Sequence, residues 1–153
     1  MPVEPHVPQI AEVIQLAIAP VFMLTALGAV IGALNARLGR AVDRRRDLEE
    51  RLLPGMPPAE APSARAELGT LERRIRFVYL SILSAVISGL FICLVIATGF
   101  AGAFISADLS RTIAAMFVAA VVALIACLLL FLREIFLAVS TPRHVPTVAR
   151  EAG

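Results

Sequence analysis

The sequence predicts an all-α integral membrane protein of three transmembrane helices, with a cytosolic antiparallel helical hairpin between the first and the second. Three observations carry this prediction. There are three long apolar runs; the segment 37–76 between the first two is charged yet spaced in heptads; and the arginines are distributed very unevenly along the chain. Of the 153 residues, 59% are hydrophobic and 17% charged, against about 45–50% and about 25% in ordinary soluble domains. The length indicates one domain.

A bilayer crossing needs about 20 consecutive apolar residues. The first run, IQLAIAPVFMLTALGAVIGALNA, covers 14–36 and holds no charge. The second starts at Phe77 and is free of charge until Asp108, giving a span over 77–105. The third, TIAAMFVAAVVALIACLLLFL, covers 112–132 and extends as a span to 136. Three such lengths in so short a chain leave too little polar surface to cover them in water. The leader 1–13 carries Glu4 and Glu12 and no arginine or lysine. A cleaved signal peptide instead has a basic start and a shorter apolar core, so the first span is expected to stay.

Arginines near membrane ends mark the cytoplasmic side. Segment 37–76 has ten, the chain from Arg133 onward three, the leader none, and the loop before the third span only Arg111. This bias predicts a multi-pass protein of the cytoplasmic (inner) membrane, amino terminus outside and carboxyl terminus in the cytoplasm. The tail 142–153 is expected to be flexible.

The charged segment follows a heptad seam. Leu34, Leu38, Ala41, Arg45, Leu48 and Leu52 alternate four and three residues apart, and so do Ala64, Leu68, Leu71, Ile75, Val78 and Ile82 beyond the break PGMPPAEAP. That spacing is a coiled-coil signature. It predicts two helical arms, 37–53 and 62–76, continuous with the first and second spans. Pro54, Gly55, Pro57, Pro58 and Pro62 make the tip, where helix is costly. The off-seam charges Arg40, Asp43, Arg44, Asp47, Glu50 and Arg51 keep the arms soluble. Arg45, the charged seam position, is expected to set register against Glu67 or Glu72.

A nucleic-acid role is disfavoured. Ten arginines face seven acids in 37–76, and no aromatic residue occurs there to stack on bases. Contact with anionic lipid headgroups fits better, since Arg37, Arg40, Arg73, Arg74 and Arg76 adjoin the inner leaflet. Their simplest role is as topology anchors.

IAPVFML at 18–24, Asn35, RLGR at 37–40, DRRR at 43–46, the leucines and arginines of 67–74, CLVIA at 93–97 and FLREI at 131–135 together resemble the Domain of Unknown Function 2721 family. The resemblance runs from about Ile10 to Ala138. It implies a small bacterial membrane protein of about three spans with no established activity, and it carries over no catalytic or ligand-binding residue.

Few residues are placed to do chemistry. Arg133 and Glu134 sit inside FLREIFLAV at the inner boundary of the third span. Arg133 can extend toward water, whereas the shorter Glu134 needs a partner, for which Arg37 and Arg40 are the candidates. An interhelical salt bridge is the preferred reading, with a proton- or ion-handling carboxylate as the alternative. Pro20 predicts a kink in the first span. Small residues recur every fourth position at Gly28, Gly32 and Ala36, at Ser84 and Ser88, at Ala85 and Gly89, and at Ala115, Ala119 and Ala123. Such rows let helices approach closely in lipid, and their number points to self-association as well as internal packing. Gly99 and Gly102 suggest that the second span bends at its outer end.

Cys93 and Cys127 lie about 24 Å and about 9 Å from the inner boundary, too far apart for a disulfide, and read as core packing. His6 and His144 fall on opposite sides of the membrane and cannot share a metal. There is no HExxH, CxxC, GxSxG or GxxxxGK pattern. The sequence therefore assigns no catalytic, cofactor or metal residue and predicts a non-enzymatic component. It would be a scaffold or accessory subunit whose stalk binds an unidentified protein or another copy of the chain. The rival is a small oligomeric channel or transport subunit.

Overall fold

The computed structural model describes residues 7–52, 61–105 and 109–140, and all but one of them lie in three α-helices: α1 (Val7–Leu52), α2 (Ala61–Ile105) and α3 (Ser110–Ser140). All three are long and apolar enough to cross a membrane. At about 1.5 Å per residue α1 and α2 extend roughly 69 and 68 Å, well beyond a hydrocarbon core of about 30 Å, and α3 roughly 46 Å. The predicted tip 54–60, the loop at 106–108, the tail 142–153 and both histidines lie outside the described residues.

The arms and the spans are single helices. No breaker interrupts α1 between its apolar run and its charged half, because Leu, Ala, Arg and Glu are all good helix formers. Val7–Val13, read from sequence as leader, already belong to α1. Pro20 is buried inside α1, with helix on both sides. Pro62 falls in the first turn of α2 rather than in the tip, a position where its missing N–H costs nothing. Helix α2 runs uninterrupted through Gly99 and Gly102 to Ile105.

Packing follows a strict seven-residue period. On α1 the buried positions are Pro20, Leu27, Leu34, Ala41 and Leu48. Helix α2 has two such rows, Ala64, Leu71, Val78, Ala85 and Ile92 on one side and Ser81, Ser88 and Val95 on the other. Helix α3 contributes Ala120, Cys127 and Glu134. Two rows on α2 and one on each neighbour match the topology. Helix α2 is central and packs against both α1 and α3, which touch each other far less.

The predicted arm seam is the packed face. Leu34, Ala41, Leu48, Ala64, Leu71 and Val78 are buried, and the alternating Leu38, Arg45, Leu52, Leu68, Ile75 and Ile82 are half-buried. Leu27, Leu34, Val78, Ala85 and Cys127 form the core, with Val30, Ile31, Leu124 and Phe131 packed around it.

Large apolar side chains cover the outside of the same region. Phe22 is 71% exposed, and Ile14, Ile18, Tyr79, Leu83, Val86, Leu90, Val118, Val122, Leu129 and Phe136 also face outward. Soluble monomers rarely expose contiguous apolar surface on this scale. Here it surrounds all three helices, as a lipid-facing surface does. The chain is a multi-pass membrane protein.

Candidate functional site

The most concentrated chemistry lies where α1 and α2 leave their apolar runs and α3 approaches its end. Glu134 is buried, its side chain only 1% exposed. Arg37 Nη1 of α1 donates to its Oε2 at 2.8 Å, and Arg74 Nη2 of α2 donates to its Oε1 at 3.0 Å. One carboxylate thus ties all three helices together with both oxygens engaged. The predicted pairing of Glu134 with Arg37 is present. The second partner is Arg74 rather than Arg40, a correction to the sequence reading.

Helix register explains the substitution. Ser88 Oγ on α2 donates across to Ala120 O on α3 at 2.8 Å, fully buried. Two heptads from Ser88 is Arg74, and two heptads from Ala120, in the opposite direction, is Glu134. The antiparallel ladder that aligns the serine with the alanine carbonyl therefore also brings the guanidinium to the carboxylate. A sequence signal existed: Ser81 and Ser88 mark the α2 row that meets α3, and Arg74 continues it by one heptad.

Aromatic rings pack against the cluster. The Arg37 guanidinium lies 5.2 Å from the centroid of Phe131, and that of Arg133 5.0 Å from Phe77, within the range of a cation–π contact. Arg133 is exposed and forms this ring contact instead of joining the Glu134 ion pair.

Farther along the arms, Arg44 Nε donates to Glu67 Oε1 at 2.9 Å, linking α1 to α2. This contact and the Arg37–Arg74 pair are separated by seven residues on both helices, in opposite directions, so the arms are antiparallel. Arg45 does not pair with Glu67 or Glu72. It bonds Glu49 on its own helix at 2.7 Å, because a seam side chain leaves the interface sideways, whereas the flanking Arg44 can reach across. Arg44 also bonds Asp47 at 3.1 Å, and Arg51 bonds Asp47 at 3.2 Å.

Arg37, Arg40, Ala41 and Arg44 of α1 with Leu71 and Arg74 of α2 line a groove of about 380 Å³. Arg40 is exposed and makes no ion pair among the described residues. Arg74 Nε is buried without an acceptor among the described residues.

The small residues divide into two sets. Ser88 and Ala85 are buried, and a Cβ on Gly89 would come within 3.1 Å of Leu27 Cδ2, so this row packs inside the chain. Ser84, Ala119 and Ala123 are half-buried beside it. Gly28 and Gly32 are exposed, with nothing within 4 Å of an added Cβ, and do no packing within the chain. Cys127 is a core residue, but Cys93 faces outward, which corrects its reading as core. Among the described residues no three His, Cys, Asp or Glu side chains gather to hold a metal ion.

No curated protein and no solved structure matches the chain. The family described as "Protein of unknown function (DUF2721)" matches residues 17–144, from the first apolar run past the Glu134 cluster. The chain belongs to that family of unknown function, DUF2721.

Proposed function

We propose that this chain is a non-enzymatic scaffold or accessory subunit of the cytoplasmic (inner) membrane. Its amino terminus lies outside and its carboxyl terminus inside. Its paired α1–α2 arms form a cytosolic stalk that binds a protein partner or another copy of the chain. The observation that carries this reading is the continuation of α1 and α2 as packed helices beyond the Glu134 clamp, to Leu52 and from Ala61. A rod rigidly continuous with two spans holds a contact surface at a fixed distance from the membrane. The distribution of arginines supports the cytosolic side.

Two further observations support the reading. Both oxygens of Glu134 are taken by arginines, which favours a structural clamp over an ion-handling carboxylate. The exposed Gly28 and Gly32 give α1 a smooth face on which a second helix can lie closely in lipid.

The test is the mass of the assembly taken from its own membrane in nanodiscs. Wild type is compared with a variant lacking 42–48 and 63–69, one heptad from each arm, which keeps the seam in register. The reading predicts a multiple of 16.3 kDa, or a stoichiometric second protein, that is lost when the stalk is shortened. A monomer without partner in both chains contradicts it.

A further inference from the structure

From the arginine-lined groove beside the Glu134 clamp we infer a binding site for a phosphate group, held at the level of the lipid headgroups. Four of its six lining residues are arginines: Arg37, Arg40, Arg44 and Arg74. The guanidinium fork matches phosphate oxygens bidentately. The remaining two, Ala41 and Leu71, form an apolar floor that leaves the polar contacts to the rim.

The charge count sets the ligand. Glu134 neutralises one of its two arginines, leaving one positive charge on the Arg37–Arg74 pair. Arg44 and Arg51 are balanced by Glu67 and Asp47. Arg40 makes no ion pair among the described residues. The groove therefore carries two uncompensated positive charges, which suits a phosphodiester or a phosphomonoester. Arg74 adds a separate indication, since its Nε is a buried donor lacking an acceptor among the described residues. Buried donors are almost always paired, and an anion in the groove is a natural acceptor.

Depth in the membrane favours a lipid as the source of the phosphate. Arg37 directly follows the charge-free run 14–36, and Arg40 and Arg44 lie one and two turns beyond it. The headgroup layer occupies the first several ångströms outside the hydrocarbon core, so the groove opens where lipid phosphates are concentrated.

The test uses the full chain in detergent. Native mass spectrometry counts adducts with phosphatidylglycerol and with phosphatidylcholine, and thermal unfolding is followed with inorganic phosphate against chloride at constant ionic strength. Arg40→Gln removes a groove charge that holds no ion pair, so the clamp is left intact. Arg73→Gln removes an exposed charge at the same depth outside the groove. The expected result is selective phosphatidylglycerol binding by wild type and Arg73→Gln, weakened about tenfold in Arg40→Gln, the worth of one charge-assisted contact. Stabilisation by inorganic phosphate that is lost only in Arg40→Gln, without lipid selectivity, assigns the same site to a soluble phosphate compound. No selectivity for either ligand, or equal loss in both variants, overturns the site and leaves the arginines as membrane anchors.

Discussion

Arg74 and Glu134 meet at 3.0 Å at the end of the antiparallel ladder that also joins Ser88 to Ala120. Arg37 completes the clamp from α1. Removing one partner of a buried ion pair costs about 3–5 kcal/mol. The arginines here are 34% and 26% exposed, so solvent relieves part of that cost. Glu134→Gln is expected to destabilise the fold by about 2–3 kcal/mol, and Arg37→Gln by less, since Arg74 remains. Adding Arg37→Gln to Glu134→Gln is expected to cost little more. Denaturant unfolding in mixed micelles checks both values, and strict additivity would contradict a shared carboxylate.

Ser88 carries the buried polar contact between α2 and α3. Interhelical hydrogen bonds in membranes average about 0.6 kcal/mol and reach about 1.7. Ser88→Ala is expected to fall in that range, whereas Ser84→Ala, one turn away and half-buried, is expected to be close to neutral. The same unfolding assay separates them.

The glycines are expected to respond in opposite ways. In a helix, alanine in place of glycine gains up to about 1 kcal/mol. At Gly32, where an added Cβ meets open space, Gly32→Ala is expected to gain most of it. At Gly89 the Cβ lies 3.1 Å from the end of the Leu27 side chain, which has to shift, so Gly89→Ala gains little. Gly89→Leu is expected to separate α1 from α2. Gly32→Leu is expected to leave the monomer folded and weaken self-association, measured by crosslinking in nanodiscs.

Among the described residues of the arms, the charge that crosses between helices is Arg44. Breaking its bond to Glu67 with Arg44→Gln is expected to cost about 0.2–1 kcal/mol, the range for exposed pairs, and to respond to salt. Arg45→Leu removes only a pair within α1 and puts an apolar side chain into the seam, so it is expected to stabilise the arms. Comparison of the two variants at low and high salt checks the assignment.

How much of this was legible in the sequence depended on contrast. In the arms, apolar seam residues stand out against charges, and each seam position named there is buried or half-buried. Within the spans both the packed and the lipid-facing sides are apolar, so composition does not identify the face. The Gly28 and Gly32 row, a candidate for internal packing, turns outward, and so does Cys93, while Gly89 and Cys127 turn inward. Glu134 was conspicuous because a carboxylate inside an apolar run needs a partner. Its second arginine was missed because proximity in sequence to the membrane boundary suggested Arg40. The choice depends on helix rotation, and Arg40 lines the groove without bonding Glu134.

The proposed stalk is a charged arm pair that leaves the membrane on its cytosolic side. Accessibility of single cysteines tests this most directly, in intact cells and in a Cys93→Ala, Cys127→Ala background. Pro5→Cys and Pro58→Cys would be exposed in turn to a membrane-impermeant maleimide. Modification of the first is expected in intact cells, and of the second only after the membrane is opened. Modification of Pro58→Cys from outside, with Pro5→Cys protected, would place the stalk on the opposite side and contradict the proposed function.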